Sequence, residues 1–180
     1  MNAINASLLH LPLWSPDGTQ LLLEAQTQGV TSGAIFVIDA DGGNLRQLLD
    51  GADFIASPAW SPDGRILALG GAKGDLHLLD AASGKLLQTL TAPAGSVVSL
   101  AFSVDGASLA VACESQEVYL FEVLTGRLQR RLAGHRSPVW SVAYAPKEKT
   151  LASGAADGTI ILWDLGTGQP RAKLEGHKDI

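Results

Sequence analysis

The chain has 180 residues, of which 46% are hydrophobic and 17% charged, with a formal net charge of −5. That balance excludes an intrinsically disordered chain, and the length suits one domain with a sizeable core. The acidic balance, with a pI near 5.2, argues against nucleic acid as a general partner. No apolar run reaches the ~18 residues of a membrane span. The opening MNAINASLLHLPLW lacks the basic and apolar regions of a secretory leader. The expected setting is therefore cytoplasmic, with neither membrane nor nucleic acid as a partner. The single cysteine, Cys113, has no internal partner and reads as a small buried hydrophobe.

In chain order, four similar units follow one another. The first covers 5–49. Its first strand closes at Trp14 and leads into the turn Ser15-Pro16-Asp17-Gly18, where proline presets the turn dihedral. Strands over Gln20–Ala25 and Ala34–Ile38 are joined by a longer polar loop, Gln26 to Gly33. Asp39-Ala40-Asp41-Gly42-Gly43-Asn44 has the look of a calcium loop. Its glycine stands at position four, not six, and no bidentate glutamate follows at position twelve, so it reads as a hairpin turn.

The second unit, 50–90, repeats the strands and turns. Its Gly70-Gly71-Ala72-Lys73-Gly74 lacks the Gly-Lys-Ser/Thr ending and following helix of a phosphate loop. The third unit covers 91–132. The fourth, 133–174, is the fullest, and 175–180 opens like a fifth. Within the fourth unit, strands are expected at Val139–Tyr144, Leu151–Gly154, Ile160–Asp164 and Pro170–Leu174. An Asp-Gly turn at Ala156–Thr159 is the strongest hairpin signal in the chain.

Three sets of landmarks keep register. Trp14, Trp60, Phe102 and Tyr144 close the first strands at spacings of 46, 42 and 42. Asp39, Asp80, Glu122 and Asp164 close the third strands at 41, 42 and 42. Leu48, Leu90, Leu132 and Leu174 end the fourth strands at 42 throughout. Registry over independent landmarks is specific for a repeat architecture.

Gly134-His135 at the head of the fourth unit, Trp163-Asp164 after its third strand and four strands per period resemble a WD-repeat β-propeller blade. The first unit, with WSPDG and IFVIDADGGN, is closer to the TolB-type propeller repeat. The resemblance implies an all-β fold of four-stranded antiparallel blades, four of them present as a partial or half propeller. It also implies a structural tetrad at His135, Ser153, Asp157 and Trp163. In that arrangement Asp157 accepts from one ring nitrogen of His135, Ser153 meets the other, and Trp163 donates to Ser153. The alternative, a catalytic triad of His135, Ser153 and Asp157, has no oxyanion-hole motif beside it. Units two and three lack the set. Leu69, Lys73 and Leu79 stand at the last three positions in one, and Pro93, Val111, Ser115 and Phe121 at all four in the other. Joint loss is sensible, because a half-paired buried network is worse than an apolar core.

No metal-ligand spacing, cofactor motif or catalytic constellation emerges, so the expectation is a non-catalytic scaffold that binds other proteins. In WD-repeat propellers partners dock on loops joining fourth to first and second to third strands. Here those are Asp50–Asp53, Thr91–Ser96, Gly134–Pro138, Gln26–Gly33, Ala72–Lys73, Glu114–Gln116 and Ala155–Asp157. His10, Ala56, Val98 and Trp140 share one position near the channel entrance. The expected partner-binding residues are Trp140, Arg136, Lys73, Glu114 and Gln116, with Trp140 as anchor; packing between blades is its competing role. A second reading makes the chain the propeller part of a larger enzyme or sensor, a gated peptidase or a signalling ATPase. Residues 1–126 carry a net charge of −9 and 127–180 a net charge of +4. Arg127, Arg130, Arg131 and Arg136 fit an edge strand guarded by charge. Four blades of WD type cover about half of a seven- or eight-membered ring. Two closures are expected from that: a longer propeller of which this chain is part, or a homodimer closing an eight-bladed ring.

Overall fold

A computed structural model describes residues 8–26, 33–52, 58–147 and 149–176. Strands β1 (Leu8–Trp14), β2 (Gln20–Gln26), β3 (Gly33–Asp39) and β4 (Arg46–Ala52) form the first sheet. The second holds β5 (Ala59–Trp60), β6 (Ile66–Gly70), β7 (Asp75–Asp80) and β8 (Leu86–Thr91). The third holds β9 (Val97–Phe102), β10 (Ser108–Cys113), β11 (Glu117–Glu122) and β12 (Leu128–Ala133). The fourth holds β13 (Val139–Tyr144), β14 (Thr150–Ala155), β15 (Thr159–Asp164) and β16 (Gln169–Glu175). Every sheet is an antiparallel meander in chain order. The fold is an all-β propeller segment of four blades.

The first blade departs from its expected boundary. β4 runs to Ala52, past 49, so Asp50–Ala52 is strand where a loop was expected. The reason lies in the neighbouring hairpin. β3 begins at Gly33, which pairs with Ala52 and gives the far end of β4 a backbone partner. Residues 27–32, Asp53 and Ala56, expected in loops or at the channel entrance, lie outside the described residues, as does the side chain of His10.

The core sits between blades. β10 shows why. Leu109, Val111 and Cys113 join a cluster with Leu76, Leu78 and Leu90 of the second blade, while Ala110 and Ala112 join one with Leu151, Ile161 and Trp163 of the fourth. Successive side chains leave opposite faces of a strand, so a strand buried on both faces reads as an unbroken apolar run. A third cluster, with Leu22, Ile35, Trp60 and Leu67, joins the first two blades. Burial pushes the Cys113 thiol up to about 12, which leaves it an unreactive packing group.

In the first three blades the turns at the lower end repeat as strictly as the strands. Ser15, Ser61 and Ser103 each donate a hydroxyl proton to the aspartate two residues on, at 2.6, 2.6 and 2.5 Å. Each hydroxyl oxygen also accepts the backbone N–H five residues on, at 2.9 Å in all three. These bonds, the hydroxyl first among their causes, hold Asp17, Asp63 and Asp105 below the usual carboxylate range. The turns between third and fourth strands lock neighbouring blades together. Gly84, at φ +72°, lies so close to β4 that a Cβ would sit 2.8 Å from the Leu48 carbonyl oxygen. Beside it Arg46 donates to the carbonyls of Ala81 (3.2 Å) and Ala82.

Candidate functional site: a buried polar network and a loop face

Trp163 on β15 is fully buried, and its indole N–H donates to Ser153 Oγ on β14 at 2.7 Å. Ser153 Oγ lies 2.6 Å from His135 Nε2. His135 Nδ1 lies 3.2 Å from Thr159 Oγ1, which donates to Asp157 Oδ1 at 2.6 Å. The partners fix the direction of every bond. Thr159 spends its only proton on the carboxylate, so it accepts from Nδ1–H. The neutral ring then offers Nε2 as acceptor, and Ser153 donates to it while accepting from Trp163. The chain runs one way from indole to carboxylate, with each hydroxyl both donating and accepting, a complete set of the kind buried polar groups require.

This changes the expected tetrad in two ways. Thr159 stands between His135 and Asp157 and is a fifth member. Its signal was available in Asp157-Gly158-Thr159, where Asp157 Oδ1 also accepts the Thr159 backbone N–H at 3.1 Å. Asp157 itself is exposed, so its charge reaches the ring from the surface. Burial lowers the His135 pKa, and the charge of Asp157 opposes that shift. The Thr159 hydroxyl, first among its causes, lowers that of Asp157. Ser153 is 1% exposed, so no substrate carbonyl can reach its oxygen. The arrangement can tie two strands, the turn between them and the loop before β13 together; it offers no open nucleophile. In the other blades the matching side chains are packed instead: Val111, Phe121, Leu69 and Leu79 are all buried.

The loop face carries the other candidates. Gln116 Nε2 donates to the Arg136 carbonyl at 3.1 Å, joining the β10–β11 turn to the loop before β13. Glu114 Oε2 accepts from Ser96 Oγ at 3.0 Å. Lys73 lies in the matching turn of the second blade, after Gly71, whose carbonyl accepts the Val97 N–H at 3.1 Å. Trp140 is 55% exposed. Pairing skips it: Val139 faces Ala155 and Ser141 faces Gly154, so Trp140 is the extra residue of a β-bulge. Val98, 42 residues earlier, lies at the same irregularity in β9. A bulge re-aims a side chain; Val98 at this position packs against the core between the third and fourth blades, whereas Trp140, on the fourth blade, is left exposed. Among the described residues, no group of three or more His, Cys, Asp and Glu is placed to hold a metal. Nor is any helix there long and apolar enough to cross a membrane.

Comparison with known proteins agrees with this geometry. The WD domain, G-beta repeat family matches residues 84–122 and 126–164, and the anaphase-promoting complex subunit 4 WD40 domain family matches 50–97. A chain in the crystal structure of a mitotic checkpoint complex superposes with a TM-score of 0.82 at 22% identity, covering 96% of this chain and 55% of that one. An uncharacterized peptidase, YuxL of Bacillus subtilis, is 30% identical over 69 residues, 38% of this chain and 10% of that protein. This chain thus spans about half of its structural relative and a tenth of its curated one. Repeat period, blade topology and matched families agree: the chain is a WD-repeat β-propeller protein.

Proposed function

We propose that the chain is a non-catalytic protein–protein interaction scaffold whose partners dock on the loop face, with Trp140 as anchor. The observation that carries this is the bulge at Trp140. An indole 55% exposed on a rigid strand, beside the Gln116–Arg136 contact, has the form of a binding hot spot. Arg136, Lys73, Glu114 and Gln116 supply a mixed-charge rim. Cross-linking and mass spectrometry in the source cells tests it. Trp140→Ala should lose partners that the parent chain captures while its circular dichroism stays unchanged. Unfolding by this substitution, or an unchanged partner set, defeats the proposal.

Trp14 supports a further part of the reading. It is 54% exposed, whereas Trp60 and Phe102 at the same place in the next two blades are 8% and 9% exposed, covered by a neighbouring blade. The flank of the first blade is proposed to be covered by a further blade, of a longer chain or of a second copy. Light scattering of the purified chain separates these: a dimer supports the second copy. The likeness to a peptidase over 69 residues favours a second reading, in which the propeller serves a larger enzyme. A catalytic domain in the same reading frame is what that reading requires.

A further inference from the structure

On the face opposite the loops, a cavity of about 640 Å³ opens between the third and fourth blades. A second of about 530 Å³ opens between the second and third. They are the same groove one repeat apart. Adding 42 to Leu87, Gln88, Asp105 and Ala107 of one gives Gln129, Arg130, Lys147 and Lys149 of the other. The fold therefore supplies an internal control. The groove between blades two and three is largely apolar, with one acid. Its counterpart is basic. Where the first three blades place the turn aspartates Asp17, Asp63 and Asp105, the fourth places Lys147, and Ala145 replaces the serine that clamps the turn.

Two buried polar atoms in this groove have no hydrogen-bond partner among the described residues: Arg130 Nη1 and Tyr144 Oη. Both residues line the cavity. Their counterparts do better or need nothing. Arg46 donates to the carbonyls of Ala81 and Ala82, Trp60 donates to the Leu13 carbonyl at 3.4 Å, and Phe102 has no polar atom. Arg130 lies against Gly168, where any Cβ would collide with its guanidinium. Two unsatisfied buried donors, one cationic, in a cleft rimmed by two lysines need acceptor oxygens carrying negative charge. Asp105 offsets one of the three cations; Glu148, between the lysines, lies outside the described residues.

We propose that this groove binds an acidic peptide segment of a partner protein, taking a glutamate or aspartate carboxylate onto Arg130 and Tyr144. A peptide, more than a free anion, suits the cavity. Its volume lies within the range of ligand clefts, about 300–1,000 Å³. Val104, Leu120, Pro146 and Leu165 line it beside the donors, so apolar residues flanking the acid are covered as well. The site is independent of the loop face.

The test is fluorescence anisotropy of the 180-residue chain with a labelled hexapeptide carrying one glutamate between leucines, at about 150 mM salt. Saturable binding is expected, weakened at least about fivefold by Tyr144→Phe and by Lys147→Asp. Lys147 is exposed, so its variant keeps the fold. The peptide with glutamine for glutamate should not bind, and Trp140→Ala should leave binding unchanged. No saturation up to about 1 mM peptide overturns the proposal. So does equal binding of the glutamine peptide, or indifference to both groove variants. Binding of inorganic phosphate, read by calorimetry, in the absence of any peptide binding assigns the groove to a small anion and overturns it too. Loss of binding in Trp140→Ala moves the peptide to the loop face, with the same result.

Discussion

At the positions where the fourth blade holds Ser153 and Trp163, the third holds Val111 and Phe121. The strands around them pair in the same order, and all four side chains are buried. One blade fills the space with a directional chain of hydrogen bonds, the other with methyl groups and a phenyl ring. The backbone tolerates both because each solution is complete. Along the chain from Trp163 to Asp157 no donor is stranded, and Val111 and Phe121 have none to strand. The network is therefore one way of filling an interblade layer, and intermediate compositions should be the unstable ones.

The comparison can be broken most severely at its hub. Ser153→Val installs the third blade's residue alone and leaves both the indole N–H of Trp163 and Nε2 of His135 without partners. Two stranded groups should cost about 2–4 kcal/mol, read from urea unfolding. Adding Trp163→Phe removes one of them, so the double substitution should cost clearly less than the sum of the singles. Simple additivity would mean that the two side chains are uncoupled.

Thr159→Val cuts the link absent from the expected tetrad. It strands Nδ1–H of His135 and should cost about 1–2 kcal/mol in the same measurement. Asp157→Ala should cost less, about 1 kcal/mol or below, because the carboxylate is exposed and reaches the ring only through Thr159. An Asp157 cost equal to that of Ser153 would restore the direct His–Asp bond that the family resemblance implies.

A gentler test uses pH. The folded His135 pKa lies below its unfolded value of 6.5, so the folded state binds fewer protons than the unfolded one. Stability should be full above pH ~6.5 and fall as pH drops from there through the lowered folded value. His135→Gln should flatten this step without touching the loss below pH ~3.9, which belongs to the hydrogen-bonded aspartates. An unaltered profile between pH 7 and 5 would show that His135 does not titrate differently on folding.

The repeat and the sheets were legible in the spacing of residues, and the family resemblance implied four of the five members of the network. Trp14, Asp80 or Leu132 recur at a fixed spacing because each blade solves the same local problem, and alternation along a strand needs only a period of two. His135, Ser153 and Trp163 were readable because their partners lie within one blade. Tertiary structure decided the rest. The bulge at Trp140 depends on how β13 pairs with β14, and single-residue slips in pairing leave little trace in composition. β4 lengthened because Gly33, across a loop, offered it a partner. The basic groove joins Arg130 of one blade to Tyr144 and Lys147 of the next, and only the stacking of blades places them together. Contacts within a repeat are written in its period; contacts between repeats depend on side chains that the period does not constrain.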